Sequence, residues 1–419
     1  MRTKVFVILI ILLGLGLRFY HLDKIAAFDY DQEVAANWVK NLVVDHKFSL
    51  IGQETSVSGV YIAPFFYYLL APVYFFSGMN PFAANIFVVC LSVLTLIYLY
   101  KWSKSLIVIF LYAIHPGLII FNQTVAPSSL VFVIAAGVGY YLTKINKKFY
   151  DYLILGLFLG LTFSAHPPSV LLIPLTLLLF IRQKEKLRNY FFVLVPVFIL
   201  VSPLLVFELK HGFLISRNIL AIQTHGYDFL FFARILANVK LFLLYFAGMI
   251  VSSDAWFIQY PLMIVAAWLF FRVNDLLFRL WFLLPLIFIM IYPRPAPEYY
   301  LQVITPLAII YAVKYLPKIL IPAIIILSVV SSYLALPKRD NQVNLQYKTQ
   351  AAHYLATKNP AVIYFSTDLG QGWGFNYLFW WQGIKLNSAN DKYQIIIPAS
   401  REPLTEGILF GAIKVTKIN

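Results

Sequence analysis

Cysteine and charge are both scarce in this chain. A single cysteine, Cys90, excludes an intrachain disulfide, and its place inside an apolar run makes it a packing residue rather than a reactive thiol. Charged residues fill 12% of the 419 positions, against about 25% in soluble domains. No HExxH or CxxC spacing occurs, which removes the familiar zinc sites. There is no repeat of fixed period and no low-complexity tract. Acidic residues are the scarcest polar group early on. Through the first 150 positions every Asp and Glu falls between Asp23 and Glu54: Asp23, Asp29, Asp31, Glu33, Asp45 and Glu54.

What remains is apolar, at 61% of the chain. Long apolar runs separated by short basic clusters predict an all-α polytopic membrane protein. The net charge of +15 is no argument for nucleic acid, because the basic residues sit between the runs, as in cytoplasmic loops that fix topology. Thirteen candidate spans cover 5–20, 61–76, 82–100, 106–121, 125–142, 150–165, 170–181, 190–207, 235–251, 255–271, 280–292, 299–313 and 319–336. No small-residue cleavage site follows the first run. It is therefore read as a retained span, with Arg18-Phe19-Tyr20 as an interfacial anchor. If all basic clusters face the cytoplasm with the N-terminus, strict alternation fails. It recovers when 61–76, which holds Pro64 and Pro72, and 235–251 do not fully cross; the latter looks more like a true span. The expectation is thus 11–13 transmembrane helices in a cell (inner or plasma) membrane, with a cytoplasmic N-terminus and an extracytoplasmic C-terminal domain.

Residues 1–336 form the expected transmembrane domain, with a first external loop at 21–60, and residues 337–419 a small extracytoplasmic α/β domain. In the latter, 345–358 reads as an amphipathic helix, 361–366 as a buried strand, and 394–398 and 410–416 as further strands. The aromatic run Trp373, Phe375, Tyr377, Phe379, Trp380 and Trp381 reads as core packing or interfacial anchoring, with sugar stacking as the alternative. Basic clusters on both sides of the 150–165 and 170–181 runs place the turn at His166 on the external side. By the same count the acidic loop, Glu208 to Gly212 and Pro293 to Tyr300 reach that side too. Four polar patches from distant sequence would then meet at one membrane face.

Carboxylates beside a bilayer are expensive unless hydrated, paired or used. Asp29, Asp31 and Glu33 lie within five residues. A carboxylate there can take the proton of an attacking hydroxyl, and partial burial would raise its pKa towards a useful value. A solvated, helix-capping loop is the structural alternative. His115, before Pro116 in an apolar run, reads as a satisfied structural histidine.

Asp31-Gln32 followed by Glu33 to Asn41 resembles the Asp-Glu motif and helix in the first external loop of multi-pass GT-C glycosyltransferases. Closest in pattern are the protein O-mannosyltransferase and aminoarabinose-transferase group and the bacterial family-39-like proteins around it. Gly59 to Leu70 is similar to their Gly…Pro-Leu-Tyr-Tyr-x-Leu segment. Gly156 to His166 resembles a Gly-rich span ending in His. Pro203 to Phe213 is similar to a Pro…Phe-Asp/Glu-Leu-Arg-His-Gly-Phe segment, and Glu298-Tyr299-Tyr300-Leu301 stands where many members have His-Tyr-Phe or His-Tyr-Leu. The resemblance covers about the first 340 residues.

It implies an inverting transferase that moves a hexose or pentose from a polyprenyl phosphate to a hydroxyl of a lipid, glycan or protein at the external face. Asp31 would be the general base. Gln32 departs from the usual Glu, and Asp29 or Glu33 would substitute for it. His166, Lys210, His211, Arg217, Arg294, Glu298, Tyr299 and Tyr300 are the candidates for donor-phosphate or substrate binding. Partners would be the lipid-linked donor, the acceptor and membrane lipids, and no nucleic acid. No cofactor is expected. Some GT-C enzymes hold a divalent ion between two acidic loops, but the 122–129 loop has no acid, which leans towards metal independence. A transporter or flippase, or a non-catalytic subunit of a glycan-assembly complex, is the alternative of another class.

Overall fold

The computed structural model describes residues 2–222, 231–253, 255–292, 296–337, 341–387 and 391–418. Helices run from Arg2 to Ala335, followed by a small mixed domain. Among the described residues, four helices are long and apolar enough to cross a bilayer by length and composition: Phe82–Ser103, Leu187–Lys210, Phe232–Ile250 and Lys318–Ala335. Others are shorter or broken. The 106–121 run splits at His115 into Leu106–Ile114 and Pro116–Phe121. Pro116 cannot donate, and His115 fills the gap: its Nδ1 accepts from the Leu118 N–H at 3.2 Å, and its Nε2 bonds Gly248 O at 2.7 Å. It is a satisfied structural histidine.

The 61–76 run forms only Phe65–Phe76, a helix of about 18 Å at 1.5 Å per residue, short of a 30 Å hydrocarbon core. Just before it, Ala63 N–H donates to Phe163 O at 2.8 Å. Just after it, Met79 O and Gly78 O accept from Tyr377 and Trp381 of the C-terminal domain at 2.8 and 3.2 Å. The helix is thus held at both ends by segments distant in the chain.

Arg18 is not an interfacial anchor. It is fully buried, with Nε donating to Asn122 Oδ1 at 3.0 Å and its terminal nitrogens to the carbonyls of Gly14, Ala113 and Tyr112 at 3.0, 2.9 and 3.3 Å. Gln123 closes the knot by donating to Arg18 O at 2.7 Å. A charge in an apolar setting persists only when its donors are met, and here carbonyl dipoles meet them. Cys90, expected to pack inside, instead faces outward from its helix.

The C-terminal domain is a four-stranded mixed sheet of order β1-β2-β4-β3, with β1 Val362–Thr367, β2 Lys392–Ile397, β3 Ile408–Phe410 and β4 Ile413–Ile418. β1 and β2 are parallel and the other pairs antiparallel. The helix Leu345–Lys358 packs on it through Ala351 and Leu355. Two expectations are corrected. β1 is an edge strand with Val362, Tyr364 and Phe365 largely exposed, not a buried one. The 410–416 strand is two strands joined at Gly411. The aromatic run folds as the helix Phe375–Trp381, which buries Phe375, Tyr377 and Leu378.

Candidate active site

After Asp29 the chain enters the helix Tyr30–Val43, which buries Gln32, Glu33, Ala35, Ala36 and Val39 along one stripe. Each polar residue at its start has a different neighbour. Gln32 uses both ends of its amide: Oε1 accepts from the Asp29 N–H at 2.9 Å, and Nε2 donates to Val125 O at 2.7 Å. Glu33 accepts from the N–H groups of Gly374 and Tyr377 at 2.8 and 2.9 Å. Asp29 pairs with Lys348 at 2.7 Å, and the same buried ammonium donates to Phe28 O and Trp373 O at 2.9 and 2.8 Å. Gly374, at φ +96°, is required here, because a Cβ would stand 2.2 Å from Phe28 O. Gln32, Glu33 and Asp29 are therefore engaged in holding the helix.

Asp31 is the member turned towards open space. It lines a cavity of about 700 Å³, within the range of about 300–1,000 Å³ usual for small-molecule sites. Its Oδ1 faces Gln53 Nε2 at 3.5 Å. Tyr67 donates to Gln53 Oε1 at 2.9 Å and so turns the amide nitrogen towards Asp31. Burial raises the Asp31 pKa above the ordinary carboxylate value; the Gln53 contact opposes this and the Asp29 charge adds to it.

The other walls come from far along the chain. Gln53 to Val57, Val60 and Ile62 belong to a hairpin, with Gly52 N–H to Ile62 O at 2.8 Å and Thr55 N–H to Val60 O at 2.8 Å. Ile120, Phe121, Ile219, Phe288 and Ile291 give the lining its apolar surface, and Ser128, His166, Tyr292, Tyr299, Tyr300 and Gln302 its polar groups. Ser56, Tyr292 and Tyr300 bring their hydroxyls within 3.1–3.4 Å of one another. The His166 ring packs edge-on to Tyr299 and Tyr300, with centroids 5.0 and 4.7 Å away. Burial lowers its pKa to about 3, so the imidazole is neutral.

The structure thus brings Asp31, His166, Tyr299 and Tyr300 to one cavity. Lys210, His211, Arg217 and Glu298 are exposed and do not line it. His211 stacks on Phe207, with centroids 4.0 Å apart. Arg294 lies outside the described residues. Among the described lining residues the only charges are the Asp31 and Glu54 carboxylates. Sequence reasoning missed Gln53, Tyr67, Ser56, Tyr292 and Gln302. All are neutral, and a search for acids and bases passes over them, although Tyr67 sits in the Gly59–Leu70 segment. Among the described residues no three His, Cys, Asp or Glu side chains converge as a metal-binding set. The segment facing Asp31 offers Thr124 and Ser128 rather than a second acid.

No protein-family profile and no curated protein matches the sequence. Solved structures do match in shape. The crystal structure of ArnT from Cupriavidus metallidurans in the apo state superposes with a TM-score of 0.60 at 9% identity, covering 100% of this chain and 98% of that one. The chain has the ArnT fold. ArnT from the same organism bound to undecaprenyl phosphate gives a TM-score of 0.58 at 10% identity, over 98% and 97% of the two chains. The expected architecture, a polytopic helical domain carrying a small C-terminal sheet domain, is the ArnT-like one found. At this identity the likeness speaks for the fold, and the chemistry must be argued from the cavity.

Proposed function

We propose that this protein is a membrane glycosyltransferase that moves a sugar from a polyprenyl-phosphate donor to a hydroxyl acceptor at the external membrane face. The carrying observation is the cavity itself: one raised-pKa carboxylate, Asp31, shares about 700 Å³ with apolar side chains and a cluster of hydroxyls. The apolar lining residues suit the first isoprene units and the hydroxyls a sugar phosphate. That ArnT of this fold has been crystallised with undecaprenyl phosphate supports the choice of lipid.

In this reading Asp31 accepts the proton of the acceptor hydroxyl as its oxygen attacks the anomeric carbon. The new C–O bond forms on the face opposite the phosphate, the bond from the anomeric carbon to the phosphate oxygen breaks, and polyprenyl phosphate departs with configuration inverted. Its charge is met by the Ser56, Tyr292 and Tyr300 hydroxyls. With the N-terminus cytoplasmic, the C-terminal domain lies on the extracytoplasmic side with the first loop.

Asp31→Asn tests the assignment. It keeps the shape and removes the base, so transfer from a polyprenyl-phosphate sugar should fall by at least ~10²-fold, with expression and membrane insertion intact. Unchanged transfer would remove Asp31 from the mechanism.

A further inference from the structure

Two polar atoms on residues that line the cavity have no partner among the described residues. The carboxamide oxygen of Gln302 and Nδ1 of His166 are both buried, and among the described residues neither has a hydrogen bond. Both side chains line the cavity. Gln302 is 2% exposed and lies two positions after Tyr300 on the turn Glu298–Ile304, whose Tyr299 and Tyr300 pack against the His166 ring. Buried polar groups are nearly always satisfied, so two orphans on side chains that line one cavity mark the place where a ligand supplies the bonds.

The chemistry of that ligand follows from the charges around it. At these two atoms an anion would find no cation, since no Lys or Arg is among the described lining residues, whereas the phosphate assigned above has the Ser56, Tyr292 and Tyr300 hydroxyls. The neutral imidazole offers it no charge either. Hydroxyls fit: each donates to an amide oxygen and also accepts, so one group satisfies either orphan. Accepting the glycosyltransferase reading, we propose that Gln302 and His166 form a hydroxyl-recognition subsite that takes the ring hydroxyls of an uncharged sugar, leaving the donor phosphate to other groups.

The test is equilibrium binding to the full-length protein in nanodiscs, without acceptor. The probes are farnesyl phosphate and its glucosyl, mannosyl, galactosyl, arabinosyl and glucuronyl derivatives. At least one uncharged sugar should bind tenfold or more tighter than farnesyl phosphate, and the glucuronyl probe no tighter than farnesyl phosphate. Gln302→Leu should erase that gain while leaving farnesyl phosphate within twofold. Equal loss for both probes, or no loss for either, overturns the subsite. Should the variant fail to fold, monodeoxy analogues of the best sugar decide with the unaltered protein. A tenfold loss at one ring position supports the subsite, and uniform binding across the series overturns it. If farnesyl phosphate itself does not bind, the lipid-donor reading fails first and takes the subsite with it. If it binds but no sugar adds affinity, only the subsite fails.

Discussion

At the residue scale, the decisive contrast is between neighbours in Asp29 to Glu33. Their carboxyl and amide groups lie within one turn, yet only Asp31 is left to face the cavity. The reason is direction. Side chains three and four apart share a face, whereas those one or two apart do not, so Gln32 and Glu33 point into protein while Asp31 points away. The Gln32 departure from Asp-Glu is also explained by the bonds it makes. Its amide donates to Val125 O while accepting from the Asp29 N–H, and an ionised Glu, which only accepts, could not do both. Gln53 acts on Asp31 itself. Burial holds the Asp31 pKa up and the Gln53 amide pulls it back, so under the proposed mechanism the base is lost as pH falls through a value above that of an ordinary aspartate. Gln53→Leu removes the opposing contact. The acid limb of the kcat/KM profile should then move to higher pH, with the plateau rate less affected. A limb that stays in place would show that Gln53 does not tune Asp31.

At the element scale, the helix Tyr30–Val43 is held from two directions. Gln32 ties it to the segment after Phe121, and Asp29 and Glu33 tie it to the C-terminal domain through Lys348, Gly374 and Tyr377. Lys348 is the stronger clamp by count of bonds, as one fully buried ammonium serves a carboxylate and two carbonyls. Burial lowers its pKa, and the Asp29 charge works against that shift. Lys348→Met leaves the two carbonyls unpaired while half-exposed Asp29 regains water, so the loss should be about 2–4 kcal/mol, read as a lower Tm in detergent. Lys40→Met, which breaks an exposed pair with Asp45, should leave Tm unchanged. Equal Tm for the two variants would mean that the clamp contributes nothing. The glycine-rich helix Phe149–Leu161 is a second example of an element fixed by contact. A Cβ on Gly156 would sit 2.2 Å from Val193 O, so the backbone of Leu187–Lys210 approaches only because that position is bare. The helix Phe149–Leu161 leads into the turn on which His166 stands.

At the scale of the molecule, the C-terminal domain is part of the site's frame. Asn341 and Asn344 bond Lys24 O, and Leu345 bonds Ala26 O, at 3.2, 2.8 and 2.8 Å. Trp373 packs edge-on to Tyr30, beside Asp31, with centroids 4.9 Å apart. Removing residues 341–419 would therefore strip the first loop of its partners on both sides of Asp31. A truncated protein should still insert, lose transfer, and show faster proteolytic cutting between residues 21 and 60 than the full chain. Full activity in the truncated form would confine the domain to a role outside the site.

The sequence by itself determined the class: apolar runs that water cannot solvate must become membrane helices, and a polar, strand-rich tail cannot. It also marked Asp31, because an acid in an acid-poor region is conspicuous, and it marked the turn at His166 through the basic clusters flanking its two spans. Tertiary structure decided the rest. Whether Glu33 or Asp31 faces the cavity, whether Arg18 meets lipid headgroups or backbone carbonyls, and that Gln53, Tyr67 and Gln302 belong to the site all depend on partners 14 to 344 positions away. Hydropathy and charge are properties of one residue and its chain neighbours. A satisfied or unsatisfied hydrogen bond is a property of two groups that only folding brings together.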